Sequence, residues 1–228
     1  MEMGYGMAGI EDRISSYAEK ITQRFDEITY VEIGVGEGAT LSAISLSLKV
    51  SGKKWRSVGI ELPNGYSFNR EKTVNFAIDR GVGINFATPN GSIVHPAWDA
   101  ITVYFKDSQS FLTEFWQDGI QFALIDGCHG KPCVILDFLA IEAFMTVGGI
   151  VMFHDFDEEQ RGHFQPHCPT GLDVMGACSD LGLLSNKRKG WRFIEKFNAD
   201  RVRGGWDMGV FQKIEVAGET INGELDNA

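Results

Sequence analysis

Asp126 and His129 stand three residues apart where an apolar run, Phe122 to Ile125, stops. A second pair, His154 and Asp155, closes the next apolar run, GGIVMF. If both runs are strands of a parallel sheet, their carboxyl ends converge over one crevice. Two carboxylates with an imidazole form a hard, oxygen-rich set suited to Mg2+. Asp126, His154 and Asp155 are therefore the candidate metal ligands. A cation there would hold a hydroxyl or a vicinal diol, lower its pKa and orient its oxygen. His129 is the candidate catalytic base, since an unperturbed imidazole titrates near pH 6.5, and Asp126 shares the catalytic role. The plainer alternative is that Asp126 and Asp155 only shape a pocket.

A glycine-rich loop, VEIGVGEGAT, lies between the first strand and the helix after it. Gly34, Gly36 and Gly38 let backbone approach a ligand closely, and the helix start adds free N–H groups. Read as G-x-G-x-x-A through Ala39, the loop suits a dinucleotide. Read as E-x-G-x-G-x-G from Glu32, it resembles motif I of the class I S-adenosylmethionine methyltransferases, in which Glu32 would face the cationic amino acid end of the methyl donor. Glu61 ends the second strand, 25 residues after Gly36, and could accept both ribose hydroxyls of either ligand. Asp107 and Ser108 follow the third strand and resemble the motif that meets the adenine amino group, although Asp is also a common helix cap. Acids thus close four successive strands: Glu32, Glu61, Asp107 and Asp126.

The elements that must position these groups alternate. An amphipathic helix, with Ile10, Ile14, Tyr17, Ile21 and Phe25 at steps of four and three, occupies residues 1–27. Five strand–helix units then run to Asp155, with strands at about 28–35, "WRSVGIEL", "AITVYF", "IQFALID" and "GGIVMFHDF". Residues 82–100 read as an irregular excursion in which His95 could join an acceptor pocket. "PCVILDFLAIEAFMTV" (132–147) reads as a helix buried on more than one side, interrupted only by Asp137 and Glu142; it could pack on its own sheet or on a partner subunit as a homo-oligomer. Residues 156–169 read as an active-site loop. Its His163, His167 and Cys168 lack the cysteine pair of a zinc site. A helix from Asp173 and two antiparallel strands, "GWRFIEKF" and "GWDMGVFQKI", complete the domain. The expectation is one α/β domain over 1–215: a Rossmann-like, doubly wound, mostly parallel seven-stranded sheet with an antiparallel C-terminal hairpin, then a disordered tail, 216–228.

Composition narrows the partners. A net charge of −10 opposes nucleic acid, and no apolar run is long enough to cross a membrane. The start, MEMGYGMAGIEDR, does not read as a signal peptide, so a cytoplasmic location and reduced cysteines are expected. Seven basic residues crowd into 187–203, as a solvated rim or an anchor for an anionic group.

From about residue 28 to residue 213, the chain resembles a class I methyltransferase. "LIDGCHG" followed by "GGIVMFHDF" is similar to the macrocin/mycinamicin branch of sugar O-methyltransferases. The resemblance implies S-adenosylmethionine as donor, a small hydroxylated acceptor, Asp126 and Asp155 as Mg2+ ligands and His129 as base. His154 departs from it, standing where that branch has an acid, and Phe156 replaces the amide ligand of catechol-type relatives. The competing readings are an NAD(P)-binding Rossmann oxidoreductase and a non-catalytic S-adenosylmethionine-binding protein.

Overall fold

The computed structural model describes residues 8–63, 65, 68–87, 95–158, 172–198, 207–216 and 219–220. Its elements are α1 (Ala8–Thr22), β1 (Glu27–Ile33), α2 (Ala39–Val50), β2 (Lys54–Glu61), α3 (Arg70–Asp79), β3 (Gly83–Phe86), β4 (Ala100–Phe105), α4 (Ser108–Phe115), β5 (Ile120–Ile125), α5 (Lys131–Glu142), β6 (Met145–Phe153), α6 (Val174–Asp180), β7 (Trp191–Asn198), β8 (Asp207–Lys213), β9 (Glu215–Val216) and β10 (Glu219–Thr220). The main sheet has eight strands in the order β3-β4-β2-β1-β5-β6-β8-β7. It is parallel from β3 to β6, whereas β8 runs antiparallel to both β6 and β7.

Successive strand side chains point to opposite faces, and this alternation divides the core in two. Tyr30, Phe122, Leu124, Ile150 and Met152 pack with Ile14, Tyr17 and Ile21 of α1 and Leu41, Ile44 and Leu48 of α2. Val31, Ile33, Ala123, Ile125, Val151 and Phe153 pack with Phe111 of α4, Val134, Phe138 and Ile141 of α5, and Val174 and Ala177 of α6. Helices thus cover both faces, which is why the middle strands read as unbroken apolar runs.

The architecture is the expected doubly wound one, with three differences. The sheet has eight strands, not seven, because residues 83–86 of the supposed irregular excursion pair with β4 as an edge strand. GINF is too short to carry a readable alternation, and its pairing to β4 alone makes it a strand. The apolar helix ends at Glu142 rather than 147, and Met145 to Val147 open a nine-residue strand. The tail read as disordered starts with a small ribbon, β9 pairing β10. The helix α6 is capped by Asp173, whose side chain accepts from the Gly176 N–H.

Both acidic residues of α5 are tied down. The Glu142 carboxylate accepts from Arg188 Nε and from Trp191 Nε1, each at 2.7 Å, and docks the helix end on the hairpin. Lys196 pairs with Asp207. Arg188 and Lys196 of the basic segment are thereby tied into the fold. Asp137 is 3% exposed and accepts a hydrogen bond from the Ser108 hydroxyl, which joins α5 to α4. Val134, Phe138 and Ile141 bury α5 against its own sheet and leave Leu136 and Leu139 partly exposed.

Burial pushes the Asp137 carboxyl up to about 6, against a smaller opposing effect of the Ser108 hydrogen bond. A carboxyl that binds its proton more tightly folded than unfolded contributes most below its unfolded pKa, and the contribution is lost as pH rises toward 6. Asp137→Asn should therefore stabilise the protein at pH 8 by up to about 3 kcal/mol, with the gain vanishing by about pH 4. Denaturant melts of both proteins across that range measure it.

Candidate functional site

Strand register puts the chemistry in one row. Ile33 of β1 pairs with Ile60 of β2 and Ile125 of β5, and Ile125 pairs with Phe153 of β6. These are the last apolar residues of their strands. The next residue on each is Glu61, Gly34, Asp126 and His154. Backbone hydrogen bonds continue the ladder across this rim: Gly34 N–H to Ile60 O (2.9 Å), Asp126 N–H to Ile33 O (2.8 Å) and His154 N–H to Ile125 O (3.1 Å). The sheet reverses its winding at β1, so the crevice between β1 and β5 is the switch point at which open α/β sheets take ligands.

The glycine loop forms one wall of that crevice. Gly34, Gly36 and Gly38 all have positive φ (85°, 53° and 78°). A Cβ on Gly34 would stand 2.2 Å from the Asp126 carbonyl oxygen, and one on Gly38 would stand 2.5 Å from the Thr73 methyl. Glu61, 7% exposed, sits beneath the loop. Its Oε2 accepts from the Val35 and Gly36 N–H groups at 2.9 and 3.1 Å, and its Oε1 from Leu62 N–H at 3.0 Å. Oε2 is thereby saturated and Oε1 retains one lone pair, so a hydroxyl could still be received by a carboxylate already held in place.

Three residues expected at the donor site make contacts within the fold. Glu32 is not at a strand end: it lies opposite Leu124 within the sheet, 1% exposed, and accepts from the Tyr30 hydroxyl. Burial, then the charges of Asp126 and Glu61, push its carboxyl well above the usual range against the Tyr30 and Leu41 hydrogen bonds. Its carboxylate also meets the Leu41 backbone at the start of α2. Ser108 turns inward to Asp137. Asp107 caps α4 through the Ser110 N–H at 2.9 Å, the helix-cap alternative. His95 is far from the crevice. It contacts Asp118, 2.9 Å away, beside Arg56 near the opposite ends of the strands.

Four side chains converge on the other wall. His129 Nε2 is 3.1 Å from Asp126 Oδ1, and His129 Nδ1 is 2.7 Å from Asp155 Oδ2. His154 Nδ1 is 2.9 Å from the same Asp126 oxygen and 3.4 Å from Asp155 Oδ1. Asp173 N–H donates to the His129 carbonyl at 3.0 Å and fixes the turn that carries the imidazole. Asp155 holds its place in a left-handed conformation, φ 54°, one that Asp tolerates better than most residues. Phe156, next to it, points into the core between Phe193 and Phe211 and is no ligand.

The electrostatics follow from this packing. For His129, burial favours the neutral ring, but Asp126 and Asp155 outweigh it and push the pKa up to about 10. His154 is likewise raised by Asp126 and then Asp155, against burial. Burial opposes ionisation of Asp126, yet His154 and His129 hold it well below the usual carboxylate range. Both ring nitrogens of His129, the expected base, face carboxylates. One atom each from Asp126, His129 and His154 lies within 4.8 Å of the others. These three form the candidate cation set, so His129 replaces Asp155 among the expected ligands, and Asp155 backs His129. With two ring nitrogens to one carboxylate, the set does not fit Mg2+, which takes oxygen ligands. His163, His167 and Cys168 lie outside the described residues. Nothing in the chain's spacing announced the pairing of Asp155 with His129, which joins two loops only in space.

Gly34→Ala should cost at least about 2 kcal/mol, because positive φ and the Asp126 carbonyl both oppose it. Gly52, at φ 71° with open space around it, is the control: Gly52→Ala should cost about 1–2 kcal/mol from φ alone. Equal losses in denaturant melts would mean that the two walls do not touch.

Comparison with known proteins meets this geometry from outside. A family model described as a methyltransferase domain matches residues 31–156, from β1 to the end of the second pair. An uncharacterized protein, R132, of Acanthamoeba polyphaga mimivirus is 33% identical over 138 residues, 58% of this chain; the match spans about half of that protein, 53%. The O-methyltransferase TomG of Streptomyces achromogenes, solved with SAM, superposes with TM-score 0.63 at 15% identity, covering 92% of this chain and 81% of TomG. Cofactor-bound Rv0187 from MTB gives 0.61 at 13%, covering 93% and 83%. The N-methyltransferase NodS of Bradyrhizobium japonicum gives 0.53 at 11%, covering 92% and 100%. These likenesses show the fold. By the match over residues 31–156, from β1 to β6 and both walls of the crevice, the chain belongs to the methyltransferase domain family.

Proposed function

We propose that the protein is an S-adenosylmethionine-dependent O-methyltransferase that acts on a hydroxyl of a small molecule such as a sugar or natural product. One observation carries the reading: the glycine loop and the Asp126 strand end are in contact at Gly34. A donor cradled by the loop would therefore present its methyl group next to the Asp126 carboxylate. Glu61, preset by the Val35 and Gly36 amides, would receive a ribose hydroxyl on Oε1. Asp126 has the most exposed side chain of the four convergent groups, at 23% against 11% or less for the others. Its ionised oxygen would accept the acceptor's O–H and turn an oxygen lone pair toward the sulfonium methyl. Methyl transfer is an in-line displacement, so this alignment is the chain's main contribution. An acidic protein with an acid-lined rim favours a small acceptor over a polyanion. No step is assigned to Mg2+, because the donor set does not fit it.

S-adenosylhomocysteine should raise the melting temperature, and NAD should not. Glu61→Ala should weaken that binding at least about tenfold, since each charge-assisted hydrogen bond is worth about 1.5–3 kcal/mol. Asp126→Asn should leave S-adenosylhomocysteine affinity nearly unchanged and lower turnover about 10²–10⁴-fold. Labelled methyl transfer to a panel of hydroxylated small molecules is the direct assay. Stabilisation by NAD alone would select the oxidoreductase reading, and donor binding without transfer to any acceptor the non-catalytic one.

A further inference from the structure

We infer that Asp126, His129 and His154 form a site for one imidazole-preferring first-row cation of the Zn2+, Co2+ or Fe2+ kind, with Asp155 orienting His129. This deepens the methyltransferase reading, on which it depends for its use in catalysis but not for its existence.

The first argument is donor chemistry. Two imidazoles and one carboxylate suit borderline cations, whereas Mg2+ takes oxygens in near-ideal octahedral geometry. Two histidines with one carboxylate, leaving a position open, is a recurring catalytic pattern for zinc. The second is spacing. Atoms bonded to one ion at about 2.0–2.2 Å stand roughly 3 Å from each other. Asp126 Oδ1 stands 3.1 Å from His129 Nε2 and 2.9 Å from His154 Nδ1.

The third is the support behind the ligands. A metal-bound histidine commonly turns its other nitrogen to a carboxylate, which fixes its tautomer and orientation. His129 does this: Nε2 faces the cluster, and Nδ1 faces Asp155 Oδ2 at 2.7 Å. The Asp155 side chain is 1% exposed. The exposed side of Asp126 leaves the centre of the cluster open toward the crevice.

The test uses the full chain stripped with chelator. Co2+ should bind at one per chain with visible ligand-field bands, be displaced by Zn2+, and resist about hundredfold more Mg2+. His129→Ala and His154→Ala should each weaken Zn2+ binding beyond the roughly 10–100-fold that loss of an outer partner costs. His154→Asp restores an oxygen donor and should lower the preference for Zn2+ over Mg2+ at least about tenfold, which reads the site even if the alanine variants misfold. Mg2+ binding as tight as Zn2+, no cation binding, or a Co2+ spectrum indifferent to both histidines would overturn the inference. A parallel S-adenosylhomocysteine melt separates the two claims. Donor binding without a Co2+ signal removes the metal alone, and a Co2+ signal without donor binding removes the methyltransferase reading alone.

Discussion

Parallel strands in register end together, and the backbone ladder that holds them continues one residue beyond their apolar cores. Gly34, Asp126 and His154 each donate a backbone hydrogen bond to the last apolar residue of the neighbouring strand. Side chains at those positions have no freedom to drift apart, because a slip of one residue would turn every core residue of that strand to the wrong face. The buried faces therefore enforce the site. Val31, Ile33, Ala123, Ile125, Val151 and Phe153 lock the same register that brings Glu61, Gly34, Asp126 and His154 into one row.

Charge is placed in the same economical way. Two carboxylates and two imidazoles occupy nearly dry ground at the β5 and β6 ends, where an isolated ion would cost several kcal/mol. Their mutual proximity lowers the pKa of Asp126 and raises those of the histidines. Elsewhere burial wins. Glu32 and Asp137, each with few partners, have their pKa values raised. Carboxyls thus divide by their surroundings: burial raises the pKa of those with no cation beside them, and neighbouring imidazoles lower that of Asp126.

The donor side depends on backbone more than on side chains. Three glycines in left-handed conformations free the Val35 and Gly36 N–H groups to point at Glu61. That carboxylate gains its position from the loop, and the loop gains a partner for amides that would otherwise be buried unpaired. The contact of Gly34 with the Asp126 carbonyl makes the two walls one piece. A short, rigid connection of this kind suits a reaction whose rate depends on alignment.

The sequence by itself determined the layered α/β fold, the glycine loop and the identity of the strand-end residues. Those features are local: apolar runs, glycine spacing and the polar residue that follows each run are written in consecutive positions. GINF escaped notice as a strand because four residues carry too little pattern, and only pairing with β4 makes them one. Tertiary structure decided the roles. Whether Glu32 faces a ligand or the α2 start depends on where β1 sits in the sheet, and whether Ser108 points outward depends on Asp137 arriving from α5. His129 stands out in the sequence as an imidazole at a strand end, and only the tertiary structure closes two carboxylates from separate loops on its ring. Proximity between distant residues sets pKa values and donor geometry, and one-dimensional spacing does not contain it.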